Sequence, residues 1–482
     1  MTLESILIGL VYLLNIVLAA VVIFKERKDV GSTWAWLLVL FFIPVLGFIM
    51  YLLTAQNFRR KHLFYWEDWG KVGVEQLLAE QLTRIESGRF HYGNETSRAN
   101  KDLIYMQLCN NNAFYTEDNE LDIFTDGEAK FSRLFQDIEA ARDYIHVQYY
   151  IIQNDKLGRR LIDALTEKAK QGVKVRVLYD ELGSRGLKRG FFRKYREAGG
   201  LAEAFFPSKL RLLNFRINFR NHRKLVIIDG KIGYVGGFNV GDEYLGLNER
   251  FGYWRDTHLR IQGTAVYALH MRFILDWNQA SSRNVIHYAP SLFPPMESKG
   301  DVGLQIVTSG PDSDFEHIKN GYMKMIASAK ESIYIQTPYF IPDSSLMDAI
   351  RIAALSGVAV HLMIPDKPDH IFVYWATLSY VGELLKAGVK VYQYNNGFIH
   401  AKTIVVDERL ASVGTANIDN RSLKLNFEVN AFIYDESVSK RLADIFAQDL
   451  AVSRPLYLEQ YERRPGWVRF KESISRLLSP IL

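Results

Sequence analysis

A short pattern of chemically reactive residues occurs twice in this chain of 482 residues. Each copy has a histidine, a lysine, an aspartate, a small-residue pair and an asparagine, and the internal spacing is the same in both. The copies are His222, Lys224, Asp229, Gly236, Gly237 and Asn239, and His400, Lys402, Asp407, Gly414, Thr415 and Asn417. One imidazole can attack phosphorus while another protonates a leaving oxygen. The duplication therefore predicts one phosphodiester site to which both copies contribute.

Each copy lies at the start of a predicted buried strand, because an apolar run rich in β-branched residues follows each lysine. Alternate side chains on a strand share a face, so each histidine and its lysine should point the same way. Asp229 and Asp407 complete the two motifs but fall at the far ends of these strands. We interpret both as structural, through a salt bridge or a turn cap. A single H-x-K pattern is usually an exposed strand face, and the duplication is what favours a site.

The repeat extends beyond the motif, which indicates two homologous halves. Three matched pairs precede the motif: Leu121–Gly127 with Leu304–Gly310, Ile145–Gln148 with Ile333–Gln336, and Gly172–Val177 with Gly357–Leu362. Downstream, Asp256 corresponds to Glu428. These carboxylates either fix the tautomers of the histidines or are ordinary strand-edge acids. Each half is predicted to be an α/β unit with a mixed sheet, and a pseudo-twofold arrangement would place the site at the seam.

The first 60 residues are predicted to form two transmembrane helices, at about 6–24 and 34–53, since both stretches are long and almost free of charge. A cleaved signal peptide is disfavoured because the start of the chain lacks a basic region. Basic residues flank both sides of the second stretch, so the side of the membrane that carries the rest of the chain stays open. We expect a linker over 61–110, a first domain over 111–290 and a second over 291–482. The last segment, Trp467–Leu482, is either an interfacial amphipathic helix or a core-packing one.

Basic residues are concentrated just before the first motif. Between Arg185 and Lys224 there are twelve lysines or arginines and only two acids, interleaved with phenylalanines. This mixture suits an anionic membrane surface, although it could also bind single-stranded nucleic acid. The apolar N-terminal stretches favour lipid, and no nucleic acid partner is expected. The single cysteine, Cys109, excludes an intrachain disulfide.

Over roughly residues 111 to 482 the chain resembles the phospholipase D superfamily, whose signature is the doubled H-x-K motif. With the two apolar stretches it resembles the bacterial cardiolipin synthases within that superfamily. The resemblance implies two phospholipase D-like α/β sandwich domains related by a pseudo-twofold axis, in a multi-pass protein of the bacterial cell membrane. It implies phosphatidyl transfer between two phosphatidylglycerol molecules, which are donor and acceptor, giving cardiolipin and glycerol. His222 would be the nucleophile that carries a covalent phosphatidyl group and His400 the general acid.

In this scheme Lys224, Lys402, Asn239 and Asn417 hold the phosphate oxygens, and neither a metal nor another cofactor is required. The superfamily often has G-S-x-N after the motif, whereas this chain has Gly236-Gly237-Phe238-Asn239 and Gly414-Thr415-Ala416-Asn417. We therefore assign more weight to the backbone and the asparagines than to a hydroxyl. A hydrolytic phospholipase D, a head-group exchange enzyme and a membrane-anchored nuclease remain alternatives. A non-enzymatic scaffold is disfavoured because both His-Lys pairs are intact.

Overall fold

The computed structural model describes residues 3–24, 30–43, 45–47, 51, 63–64, 66–188, 190–207 and 219–479. Its α-helices, α1 to α16 in chain order, are Leu3–Phe24, Val30–Phe42, Val74–Glu86, Glu95–Ala99, Lys101–Asn111, Gly127–Ala140, Lys156–Lys170, Arg193–Glu197, Ala265–Ala280, His317–Ser328, Ser344–Leu355, Ile371–Lys386, Asn420–Lys424, Glu436–Leu450, Leu458–Glu462 and Gly466–Leu477. Its strands, β1 to β19, are Thr116–Phe124, Tyr144–Tyr149, Lys174–Asp180, Leu201–Phe205, Leu225–Ile228, Ile232–Gly236, Trp254–Arg255, His258–Gln262, Val302–Ser309, Ser332–Gln336, Phe340–Ile341, Ala359–Pro365, Lys390–Tyr394, Phe398–Ile399, Thr403–Val406, Leu410–Gly414, Ile418–Asp419, Glu428–Tyr434 and Ser453–Leu456.

The two halves have the same sheet topology, which confirms the predicted duplicated α/β fold with mixed sheets. In the first half the strand order is β1-β8-β6-β5-β2-β3-β4, and in the second it is β9-β18-β16-β15-β10-β12-β13. In each half the parallel strands, such as β2 and β3, adjoin antiparallel ones, such as β5 and β6. The halves meet where β1 pairs with β9 in an antiparallel register that is interrupted by a shift between Thr116 and Asn119.

The motif strands β5 and β15 lie near the middle of each half, and all four residues of each are buried. Because β5 is antiparallel to β2 and β6, its first residues lie at the same edge of the sheet as the last residues of those strands. The same holds for β15 with its neighbours β10 and β16. The loops at this edge are therefore the ones that can reach the two motifs.

Helices cover the sheet and fix its position by burying apolar faces. In α9, Val266, Leu269, Phe273 and Trp277 have no exposed surface, and their spacing is that of one helix face. Several helices begin at an aspartate whose carboxylate accepts from the backbone N–H three residues on, as Asp126 does for α6 and Asp435 for α14. These caps set where each helix begins after the strand that precedes it.

The N-terminal region is only partly described, because residues 25–29, 44, 48–50 and 52–62 lie outside the described ranges. Within those ranges no helix combines the length and the apolar character that crossing a membrane requires. The predicted spans at 6–24 and 34–53 are therefore not confirmed. Helix α1 covers the first of them, and part of the second lies outside the described residues.

The segment predicted as a linker, 61–110, contains helices α3 and α4 and most of α5, and α5 packs on the second half through Leu103, Ile104 and Leu108. At the other end of the chain, α16 packs against α12, where Arg476 pairs with Glu383 at 2.6 Å. Trp467 and Phe470 on α16 remain exposed. The C-terminal helix thus has both a packed face and an apolar exposed face.

Candidate active site

Each motif histidine is held in place by a segment from the other half. The amide of His222 donates to the carbonyl of Phe427 at 2.9 Å, and the amide of Phe427 donates to the carbonyl of Arg220 at 2.8 Å. In the same way, the amide of His400 donates to the carbonyl of Arg255 at 2.7 Å, within the parallel pair of β14 and β7. The backbone therefore joins the two motifs at one place, the seam of the two halves.

These backbone pairings bring each histidine to the carboxylate of the opposite half. Nδ1 of His222 lies 3.0 Å from Oε1 of Glu428, and Nδ1 of His400 lies 2.6 Å from Oδ2 of Asp256. Both carboxylates are fully buried. A carboxylate can only accept, so Nδ1 of each ring carries the proton and Nε2 of the neutral ring is left with a lone pair.

The two lysines point back towards their own histidines. Nζ of Lys224 donates to the carbonyl of His222 at 2.6 Å, and Nζ of Lys402 donates to the carbonyl of His400. The same two ammonium groups act electrostatically on both histidines and both carboxylates across the seam. The site therefore gathers two imidazoles, two cations and two anions in one buried cluster.

Burial shifts the pKa values of these groups strongly. It is the main cause that lowers the pKa of Lys224 to about 7 and that of Lys402 to about 8, although the carboxylates oppose this shift. Burial and the charge of Lys402 lower the pKa of His400 to about 4, against the attraction of Asp256. The pKa of His222 is also lowered, first by burial. Both imidazoles are thus neutral near neutral pH, which is the form needed for nucleophilic attack.

Asp256 is kept ionised by its neighbours. Burial alone would raise the pKa of Asp256, but the charges of Lys402 and His400 outweigh this effect, so the pKa is lowered. The backbone amide of Thr257 also donates to Oδ1 of Asp256 at 2.7 Å. The partner of His400 is therefore a fixed negative charge.

The two histidine–carboxylate pairs differ in their support. The hydroxyl of Thr415 donates to Oε2 of Glu428 at 2.5 Å. At the corresponding position of the first half, a Cβ on Gly237 would lie 1.9 Å from Oδ1 of Asp256. The hydroxyl of Thr415, for which the sequence predicted a smaller role than for the backbone and the asparagines, thus contacts one of the two carboxylates. In the first half a glycine lies beside Asp256, which has the shorter side chain. In the second half a threonine lies beside Glu428, which has the longer one.

The asparagines and the remaining glycines of the motif are fixed by contacts outside the His–Lys cluster. Oδ1 of Asn239 accepts from the amide of Ile151 at 3.1 Å, and its Nδ2 lies 3.3 Å from the hydroxyl of Tyr244. Nδ2 of Asn417 donates to Asp419 at 3.0 Å. Each amide group has a second N–H, which is the one that could reach a phosphate oxygen. Gly236 and Gly414 allow the close approach of His258 and Asn430 on the next strand.

Asp229 and Asp407 lie at the opposite ends of β5 and β15 and have the same environment as one another. The carboxylate of Asp229 accepts from the amides of Arg142, Asp143 and Tyr144 at 2.8 to 2.9 Å. Asp407 accepts from three consecutive amides, Lys330 to Ser332, each at 2.8 Å. Of the two interpretations drawn from the sequence, these contacts are those of a cap on the backbone that opens β2 and β10.

Two aromatic residues beside the histidines were not predicted. The ring of Tyr150 packs edge-on against His222 at 4.7 Å between centroids, and Trp254 packs against His400 at 5.2 Å. Tyr150 directly follows β2, and Trp254 stands two residues before Asp256. Proximity to the ends of the repeated strands was the only signal in the sequence that could have marked them.

The comparisons with known proteins agree with this geometry. The family described as "Cardiolipin synthase, PLD-like domain" matches residues 134–258 and 322–450, and a family described as "Phospholipase_D-nuclease N-terminal" matches residues 13–56. The major cardiolipin synthase of Bacillus subtilis is 66% identical over 482 residues, which is 100% of both chains. The chain belongs to the cardiolipin synthase family. It is accordingly a phosphatidyltransferase of the phospholipase D superfamily.

Other relatives extend this finding. The cardiolipin synthase of Listeria welshimeri is 54% identical over 100% of both chains, and one from Staphylococcus aureus is 57% identical over 100% of this chain and 97% of the relative. Among solved structures, a phosphatidylserine synthase from Haemophilus influenzae matches 81% of this chain and 100% of its own, with a TM-score of 0.61 and 15% identity. That likeness shows the shared fold.

Proposed function

We propose that the site transfers a phosphatidyl group from one phosphatidylglycerol to another, giving cardiolipin and glycerol through a covalent histidine intermediate. The observation that carries the proposal is the crossed arrangement at the seam. Each histidine is oriented by a carboxylate of the opposite half, and two lysines share the same cluster. Such a site can supply a nucleophile and a proton to opposite sides of one phosphorus.

In the first half-reaction, Nε2 of His222 attacks the phosphorus of the donor, and the bond from phosphorus to the glycerol oxygen breaks. A proton from Nε2 of His400 passes to that oxygen, so glycerol leaves neutral. In the second half-reaction, His400 takes the proton from a hydroxyl of the acceptor, whose oxygen attacks phosphorus. The bond from phosphorus to His222 breaks, and both imidazoles return to their starting forms. Each step has a matching reverse, so the transfer is reversible.

Lys224 and Lys402 stabilise the non-bridging oxygens as negative charge builds up on them. Removal of one such contact in other enzymes costs about 3 to 4 kcal/mol of transition-state stabilisation. A bound phosphodiester also raises the pKa values of both lysines and of His400, because a neighbouring anion favours the protonated form. His400 can then hold the proton that it must donate. Asn239 and Asn417 would add their second N–H groups to the same oxygens.

The assignment of His222 as nucleophile rests on resemblance to the superfamily. The low pKa of His400, about 4, favours a neutral ring there before substrate binds. The assignment therefore depends on the bound anion raising that pKa. The two orders of attack predict a phosphatidyl group on different histidines, which can be distinguished by mapping the intermediate.

Both substrates are lipids, so we also propose that the chain is held at the bacterial cell membrane by its N-terminal segment, with the stretches at 6–24 and 34–53 as two spans. Helix α1 supports this because Leu13, Ile16 and Val17 are exposed apolar side chains on it. Exposed apolar surface of this kind marks a membrane or protein contact. Tethering would bring donor and acceptor to the site by lateral diffusion at high effective concentration. The proposed working unit is the pair of domains 111–290 and 291–482 behind this anchor.

The test uses the purified full chain with phosphatidylglycerol vesicles, with and without EDTA, and His222→Ala and His400→Ala as matched variants. We expect cardiolipin and free glycerol in mass spectra, with EDTA having no effect and both variants losing the product. Phosphatidic acid as the sole product would mean that water is the acceptor and that the chain is a hydrolytic phospholipase. Added alcohols that replace glycerol in the product, without cardiolipin, would indicate head-group exchange.

A further inference from the structure

The edge of the sheet that carries the site is surrounded by exposed apolar side chains. They stand on loops or helix starts that follow strands ending at this edge, and we call them the apolar rim: Leu182, Leu247, Tyr253, Phe315, Ile371 and Phe372. Leu247 is 61% exposed and Phe372 is 55% exposed. Side chains of this kind in contact with water are costly when they cluster, and clusters of them mark contact surfaces.

The strand directions place all six at the same end of the molecule as the histidines. Leu182 follows β3, which runs parallel to β2 and ends where β5 begins at the first motif. Leu247 and Tyr253 lie between β6 and β7, and Phe315 follows β9. Ile371 and Phe372 open α12 just after β12, which ends beside Tyr339 and Asp369 near the second motif. The apolar rim therefore borders the mouth of the site.

The fully exposed charges on these loops are mainly positive, whereas further acids on them, such as Asp242, Glu243 and Asp366, are half-buried. Exposed Arg185, Lys188, Arg250 and Lys367 lie on the same loops, against exposed Glu249 and Asp314. A surface whose outermost side chains are apolar or basic matches an anionic lipid bilayer. The apolar groups enter the boundary of the acyl chains, and each basic group near the surface adds attraction to anionic head groups.

The N-terminal segment joins the catalytic body at this same edge. The ring of Phe64 lies 5.3 Å from that of Phe427, the residue next to Glu428, and stacks on Phe205 at the end of β4 at 6.4 Å. The guanidinium of Arg272 lies 4.0 Å from the centre of the Phe64 ring. A membrane anchor that precedes Phe64 would thus hold the apolar rim facing the bilayer.

We propose that the apolar rim docks the mouth of the site onto an anionic bilayer, so that a lipid head group reaches His222 and His400 while its acyl chains stay in the membrane. The proposal rests on the proposed function for the identity of the substrate as a two-chain lipid. The docking itself does not depend on turnover, so the two can fail separately.

The experiment measures the depth of single labelled sites in the full chain. Cys109 is the one cysteine, and it is exposed, so Cys109→Ser gives a background for single cysteines. Leu247→Cys and Phe372→Cys test the apolar rim. Leu355→Cys is the matched control, because Leu355 is 68% exposed but lies at the end of α11, just before β12 begins at the opposite edge of the sheet. Each single-cysteine variant is labelled with an environment-sensitive fluorophore. It is then reconstituted into phosphatidylcholine vesicles that contain phosphatidylglycerol with brominated acyl chains.

We expect blue-shifted emission and strong quenching by brominated lipid at positions 247 and 372, and neither at 355. Quenching at 247 and 372 that is no greater than at 355 would overturn the proposal, even if the same sample makes cardiolipin. Conversely, deep labels in a protein that transfers no phosphatidyl group would leave docking in place and reject the proposed function.

A second measurement links docking to turnover. The double variant Leu247→Ser/Phe372→Ser is compared with Ile352→Ser/Leu355→Ser, which removes equally exposed apolar groups from α11. On vesicles we expect the rim variant to need about tenfold more lipid for half-maximal rate, since two apolar side chains no longer enter the bilayer. The α11 variant should match the parent protein. Equal lipid dependence in the two double variants would contradict docking through the apolar rim.

Discussion

Nδ1 of His400 lies 2.6 Å from the carboxylate of Asp256, although the two residues belong to different halves of the chain and are 144 positions apart. The corresponding pair, His222 with Glu428, is also formed across the seam. Each motif histidine is therefore paired with a carboxylate of the other half. This crossing explains why the duplication was needed for one site, because each half supplies the histidine of one pair and the carboxylate of the other.

The first prediction concerns these carboxylates. In Asp256→Asn the charge that fixes the tautomer of His400 is lost, and we expect kcat to fall on the order of 10⁴-fold, as for an analogous change in a serine protease triad. Glu428→Gln should act in the same way on His222. The measurement is cardiolipin formation on phosphatidylglycerol vesicles, with circular dichroism as the control for folding. A rise in KM with kcat unchanged would show that these carboxylates bind substrate rather than orient the histidines.

The second prediction concerns the alkaline limb of the pH profile. Burial lowers the pKa of Lys224 to about 7 and of Lys402 to about 8, so the free enzyme loses these charges at a lower pH than ordinary lysines do. We expect kcat/KM to fall as the pH rises through this range, because the neutral amines no longer attract the phosphate. In Lys402→Arg the guanidinium stays charged, so the fall due to this position should move above about pH 9. An alkaline limb that is unchanged in both Lys402→Arg and Lys224→Arg would assign it to another group.

The third prediction tests how the size of the residue at positions 237 and 415 matches the length of the neighbouring carboxylate side chain in the same half. A Cβ at position 237 would lie 1.9 Å from Oδ1 of Asp256, so Gly237→Ala should displace this carboxylate and reduce kcat at least tenfold without unfolding the protein. Thr415→Ala removes only the hydroxyl that donates to Glu428 and should reduce kcat less. Thr415→Ser keeps the hydroxyl and should restore the rate. Equal rates in Gly237→Ala and the parent would mean that Asp256 can shift without cost.

The local features of the site could be predicted from the sequence because they depend on spacing along one strand. The two H-x-K pairs, the repeated strands and the correspondence of Asp256 with Glu428 are all of this kind. The crossing of the pairs could not be predicted, since it depends on how two separate halves meet. For the same reason Tyr150 and Trp254, which pack on the histidines, had no recognisable pattern.

The contact of the Thr415 hydroxyl could not be predicted for a related reason. The sequence shows a departure from the family pattern at one position, whereas the contact depends also on the length of the Glu428 side chain, 13 positions further on. Asp229 and Asp407 had two open interpretations because a salt bridge and a turn cap leave the same trace in the sequence. Only the positions of the amides of residues 142–144 and 330–332 distinguish them.

The fourth prediction follows from those caps. Each aspartate holds three backbone amides at the end of the strand remote from the histidines, and both have a left-handed backbone with φ of 51°. Asp229→Asn and Asp407→Asn keep a residue type that tolerates this conformation, but one carboxylate oxygen becomes an N–H₂ that faces backbone donors. We expect each variant to lose about 1.5–3 kcal/mol of unfolding free energy in denaturant titrations. The kcat of the folded fraction should stay within about twofold of the parent, in contrast to the variants at Asp256 and Glu428.

The fifth prediction decides which histidine carries the phosphatidyl group. A donor with a nitrophenol head group needs no general acid to leave, so His400→Ala should still release nitrophenol in a burst. Without a base to activate the acceptor, the intermediate should then accumulate, and mass spectrometry of peptides should place it on His222. In His222→Ala no burst should appear. A burst in His222→Ala with the adduct on His400 would reverse the assignment, and a pKa of about 4 would then keep the attacking ring neutral.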